Sequence, residues 1–172
     1  MSSSSGPYYG KYRGIVTENE DNEQNRGKKL GRIKARVPDV LGDKETGWAF
    51  PCVPYAGKDV GLFLMPPKNT HVWIEFEKGN TDYPVWSGCF WAEGEVPVTP
   101  YTSDKKVLKT GAGTITLNDS SSDGGITIEM NKDPKLKIVL DKNGIEITSG
   151  NGASVKLNNN KVSINDTALE VE

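Results

Sequence analysis

The chain has 172 residues, a net charge of −2 and 35% apolar content. Neither half carries a basic excess, which excludes bulk electrostatic binding of nucleic acid. No stretch approaches the ~20 apolar residues of a membrane-spanning helix, and the Ser-rich start of the chain lacks the apolar core of a signal peptide.

Such a chain is expected to be made in the cytoplasm and to stay soluble until it is assembled. Two cysteines, Cys52 and Cys89, are too few for a disulfide framework and read as ordinary buried thiols, with a single Cys52–Cys89 bridge as the unsupported alternative. Nineteen glycines and ten prolines favour a turn-rich, all-β protein.

Residues 1–7 are rich in Ser, Gly and Pro and read as a flexible arm. Residues 8–17 read as a strand anchored by Tyr8, Tyr12 and Ile15/Val16. Residues 18–29 are polar throughout and read as an exposed loop, long enough to suggest a contact role. In residues 30–37, Ile33, Ala35 and Val37 alternate with Arg32, Lys34 and Arg36, the pattern of a half-buried strand with one basic face. Residues 38–47 form a loop and 48–54 a third strand. Residues 62–65 are a short apolar piece stopped by Pro66-Pro67. Residues 70–77 alternate again, with Val72, Ile74 and Phe76 on one face, and 83–91 form the last strand of this half.

All four tryptophans and all four phenylalanines fall between Trp48 and Trp91. A core of large side chains is therefore expected there. Five strands around one core predict a small barrel of the OB type over residues 8–91. Residues 92–104, marked by Gly94, Pro97 and Pro100, are the linker.

From residue 105 to 172 the pattern changes to a stack of short strands. Each carries an apolar pair at i and i+2: Ile115/Leu117, Ile126/Ile128, Ile138/Leu140, Ile145/Ile147, Val155/Leu157, Val162/Ile164 and Leu169/Val171. Only turn-forming and polar residues separate the pairs. Period 2 puts both residues of a pair on one face, and nothing in the segment has the helical period that could cover them. Copies of the chain must do so. Three chains wound about a threefold axis would bury the pairs from Ile115 to Ile164 as a trimer core. About eight strands at ~4.8 Å each make a rod on the order of 40 Å long.

No catalytic constellation is found, and the chain is read as a non-enzyme without cofactor. The single histidine, His71, has no partners for a metal site, and Cys52 and Cys89 lack the spacing of one. The Gly-rich turns at 111–113 and 124–125 lack the helix and Lys-Ser/Thr of a phosphate loop. Arg32, Lys34 and Arg36 are weighed as a nucleic-acid groove and read instead as a solvated or inter-subunit face.

Leu30-Gly31-Arg32-Ile33-Lys34-Ala35-Arg36-Val37-Pro38, followed by Trp48-Ala49 and Val53-Pro54-Tyr55-Ala56-Gly57, resembles a known family. So does Val72-Trp73-Ile74-Glu75-Phe76-Glu77-Lys78-Gly79-Asn80 with Tyr83-Pro84 and Ser87-Gly88. They are similar to the OB domain of the central spike of contractile injection machines, the family of baseplate assembly protein V of phage tails and of VgrG in type VI secretion. The C-terminal stack resembles the same family's intertwined, trimeric β-helix, or β-prism.

The resemblance implies a homotrimeric, membrane-piercing needle within a phage tail-like particle. It implies a hub or baseplate protein at the OB end and a PAAR-type tip protein at the other. Only about ten residues precede the OB segment, so the hub is expected as a separate protein. The linker is too short for the lysozyme domain found in some relatives, and there is no His-x-His tip. Lys68-Asn69-Thr70 stands where the family often has Gly-Asp. The blunt end, Ala168, Leu169 and Val171, is expected to dock the tip protein. The alternative reading is an OB-fold protein that binds an oligonucleotide or glycan and carries a β-rich oligomerisation tail.

Overall fold

The computed structural model describes residues 6–25, 28–166 and 168–171; most of the N-terminal arm, residues 1–5, lies outside them. The chain divides into two compact units between Glu95 and Val96.

The first unit is a five-stranded barrel built from β1 (Tyr12–Glu18), β2 (Lys34–Arg36), β3 (Phe50–Pro51), β6 (His71–Phe76) and β7 (Pro84–Cys89). The sheet runs β2-β1-β6-β7-β3, antiparallel except for the parallel β3–β7 pair. It closes through Ile33 and Ala49, which exchange backbone hydrogen bonds of 3.2 and 2.7 Å and so join the start of β2 to the start of β3. Closure removes the free sheet edges that would otherwise template aggregation. This is the OB topology expected from the sequence.

The expected core needs correction. The buried cluster is mainly aliphatic (Val16, Ile33, Ala35, Val37, Ala49, Val72 and Ile74), and Phe76 and Trp86 are its buried aromatic residues. Strand parity accounts for the others. Trp73 alternates with the inward-facing Val72 and Ile74, so it turns outward and lies 4.7 Å from Phe90, ring to ring. Trp91, Phe50 and Phe63 are exposed.

Two further differences lie in the connections. Residues 38–47 contain a four-residue helix, α1 (Pro38–Leu41), begun by a proline whose fixed φ suits a first helical position. The apolar piece at 62–65 is not a strand. A two-residue hairpin, β4 (Ala56–Gly57) with β5 (Val60–Gly61), precedes it, and the arm exposes Tyr55, Val60, Leu62, Phe63 and Leu64.

The loop at 18–29 is not simply solvated. Asp21 is buried and gathers the backbone N–H groups of Lys28, Leu30 and Arg32 at 2.7, 2.7 and 3.2 Å. The Arg32 guanidinium adds bonds of 3.1 and 2.9 Å from Nε and Nη2. Burial pushes the Asp21 carboxyl up, but the bonds from Arg32 and from the backbone outweigh it and hold the group well below the usual carboxylate range. Arg32 therefore does not belong to an exposed basic face. It lies ahead of the regular strand, so its direction is set by Asp21 and not by β2 parity.

The second unit is one eight-stranded antiparallel meander: β8 (Lys105–Lys109), β9 (Gly113–Asn118), β10 (Gly125–Met130), β11 (Lys137–Asp141), β12 (Gly144–Thr148), β13 (Ser154–Asn158), β14 (Lys161–Ile164) and β15 (Leu169–Val171). Each strand pairs with its neighbours in sequence, within the chain. Two-residue turns join β11 to β12 and β13 to β14. Gly144 is fixed at the first of these: its φ is 134°, and a Cβ there would lie 1.9 Å from the Leu157 carbonyl oxygen.

Candidate functional site

The registers of the meander align its apolar residues into two continuous ladders on one face. One runs Leu117, Ile126, Leu140, Ile145, Leu157, Val162, Val171. The other runs Leu108, Ile115, Ile128, Ile138, Ile147, Val155, Ile164, Leu169. All twelve residues expected in the trimer core lie on these ladders. Cross-strand pairs of β-branched and large aliphatic residues each stabilise the sheet by about 0.2–1 kcal/mol, but they leave the outer side of the face uncovered. Ile128, Ile147 and Leu117 keep 43–45% of their surface exposed.

Three residues missed by the sequence pairs widen this face. Leu108 extends the second ladder to β8, while Met130 and Leu136 flank it. Period 2 already pointed to them, since Met130 continues Ile126/Ile128 and Leu136 precedes Ile138/Leu140 at the same spacing. With them the face contains a groove of about 780 Å³ lined by Leu108, Ile115, Ile128, Met130, Leu136, Ile138, Ile147, Val155 and Ile164. Soluble monomers rarely expose contiguous apolar patches beyond a few hundred Å². A face this long therefore calls for a partner surface.

The opposite face is polar and internally paired. Its central row reads Val107, Thr116, Thr127, Val139, Glu146, Lys156, Ser163. Lys156 Nζ lies 2.8 Å from Asp166 and 3.4 Å from Glu146; the bonds to Asp166 and then Glu146 raise its pKa. Lys106, in register with Leu117 at the β8 end of the apolar face, pairs with Asp119.

Of the residues expected to dock a tip protein, Ala168 and Leu169 are exposed at the final strand. Val171 pairs in register with Val162, and its side chain lies outside the described residues. Cys52 and Cys89 are both free and exposed, which corrects the expectation of buried thiols. His71 packs against Phe90, ring centroids 5.2 Å apart. Among the described residues, no three His, Cys, Asp or Glu side chains gather as a metal site, and no helix is long and apolar enough to cross a membrane.

Comparison with known families finds two matches. Residues 12–91 match the type VI secretion system/phage-baseplate injector OB domain. Residues 105–170 match the phage baseplate V C-terminal trimerisation domain. None of the individual curated proteins compared matches significantly. The trimerisation-domain match supports a homotrimer. An OB barrel followed by a trimerisation domain, each matched over nearly its full length, places the chain in the phage baseplate V family, a family of structural proteins of phage-type baseplates.

Proposed function

We propose that the protein is the central spike of a contractile tail or injection baseplate. Three copies join through the meander, residues 105–172, into an intertwined β-prism that is driven through the target membrane. The OB barrels, residues 8–91, face a separate hub, with residues 92–104 as linker. The observation that carries this reading is the pair of apolar ladders, open along the whole meander in a single chain. Sedimentation at micromolar concentration should give a trimer mass that resists heating; a monomer overturns the proposal.

The two ends take different partners. At the OB end, Tyr55, Leu62, Phe63 and Leu64 of the apolar arm are left exposed by their own barrel and supply a surface for the hub. At the other end, Ala168 precedes the last strand, β15, which carries Leu169 and Val171, and the three suit a PAAR-type tip protein. Leu169→Asp with Val171→Asp should abolish capture of such a tip protein while leaving the trimer mass unchanged. Loss of the trimer instead would make these residues ordinary core.

The oligonucleotide reading is weakened by the fate of its basic strip. Arg32 is buried against Asp21, and Lys34 is paired with Glu45 at 2.9 Å. Arg36 is left as the remaining cation of the three.

A further inference from the structure

The two apolar ladders are not equivalent. The groove is lined by the second ladder and contains no residue of the first. The reason lies in the turns. On the groove side, the connections 110–112, 131–136 and 149–153 and residues 165–166 stack into a wall. Asn131 ties the first two together, donating from Nδ2 to the Thr110 carbonyl at 2.6 Å and from its backbone N–H to Ala112 at 2.9 Å. Gly150 approaches the next turn so closely that a Cβ would lie 2.6 Å from Lys135 N. Asn165 exchanges bonds with Ser154 at 2.9 Å in both directions. On the opposite side, two of the three connections are two-residue turns, so the first ladder stands as a ridge without a comparable wall.

A ring of three cannot be closed by self-matching contacts. Rotation by a third of a turn always brings one surface of a copy against a different surface of the next. The chain therefore needs two unlike, complementary surfaces, and a ridge beside a groove on the same apolar face meets that need. We infer that the trimer closes head to tail, with the ridge of Leu117, Ile126, Leu140, Ile145, Leu157 and Val162 on each copy seated in the walled groove of the next. This rests on the homotrimer reading and adds which half of the face meets which.

Cysteine pairs test it. In full-length protein with Cys52→Ser and Cys89→Ser, Ile126→Cys is placed on the ridge and Met130→Cys in the groove. These positions are four residues apart on β10, roughly 13 Å, too far for a disulfide within one chain, whose Cα atoms must come within about 7 Å. The oxidised double variant should therefore run as a covalent trimer on a non-reducing gel, while each single variant runs as a monomer. Leu140→Cys with Leu136→Cys provides a second pair should the first disturb assembly. Covalent dimers from either single variant would mean that like residues meet at the axis and would overturn the inference. Unlinked chains from both double variants that still sediment as trimers would also overturn it. A monomer from the unsubstituted chain would instead overturn the homotrimer reading beneath it.

Discussion

Ile138→Asp combined with Ile147→Asp is expected to reduce the protein to a monomer in sedimentation at micromolar concentration. The two residues face each other across β11 and β12 and form part of the groove floor. Covering a large aliphatic side chain is worth about 1.5–3 kcal/mol when burial is complete. An ionised carboxylate in the same place costs several kcal/mol more, because the cross-strand neighbours Ile128 and Val155 cannot pair with it. Threefold symmetry repeats the penalty in every copy and adds repulsion between copies. Ile138→Val is the graded control, at about 0.5–1.5 kcal/mol per site, and should leave a trimer that melts at a lower temperature. Thr127→Asp lies on the opposite face, where its cross-strand partners are Thr116 and Val139. It should change stability by no more than about 0.5 kcal/mol. A trimer that survives the double aspartate would remove the ladders from the interface.

These ladders were the most legible part of the sequence. A two-residue period with Gly, Asn and Asp between the pairs leaves few ways to fold, and antiparallel pairing of consecutive strands then aligns the pairs without further information. Leu108 was harder to see because its strand carries Lys106, not a second apolar residue, at the paired position. Met130 and Leu136 extend pairs already recognised, and only the sheet makes them neighbours.

The barrel was legible as strands but not as a core. Trp73 looks like core by composition, and its parity within the strand argues the reverse. The arm at 55–64 was unreadable as an exposed hairpin because its apolar residues imitate a buried strand. The Asp21–Arg32 clasp spans eleven positions of polar loop, and no local pattern announces it. In each case the information is tertiary: local periodicity fixes which way a side chain points from a regular strand and says nothing where the backbone leaves the strand.

That clasp gives the second large effect. Asp21→Ala leaves the Arg32 guanidinium buried with no counter-charge and strands the backbone N–H groups of Lys28, Leu30 and Arg32. Removing one partner of a buried ion pair costs about 3–5 kcal/mol, a large share of the 5–15 kcal/mol that holds a typical domain folded. Denaturation followed through tryptophan fluorescence should report it, since the Trp86 indole donates to the Gly31 carbonyl at the end of the same loop, 3.3 Å away. The added substitution Arg32→Leu should restore part of the loss by removing the orphaned charge.

The pH dependence has a definite sign. The Asp21 carboxyl is held below its unfolded value, so its stabilisation is fully present above the usual carboxylate pKa of about 3.9 and drains away as the pH falls below it. The unsubstituted barrel should lose stability from pH 4 to pH 2 more steeply than the Asp21→Ala variant, and equal slopes would remove Asp21 from the account. Because the ladders lie in the other unit, Asp21→Ala should lower the unfolding midpoint of the barrel while the trimer mass persists. The variant would then pair a weakened barrel with an intact trimerisation unit. In it, Leu30 and Gly31 lose their hold on the hollow they share with Phe63, Met65 and Trp86, and under the proposed function attachment to the hub should fail although the trimer persists.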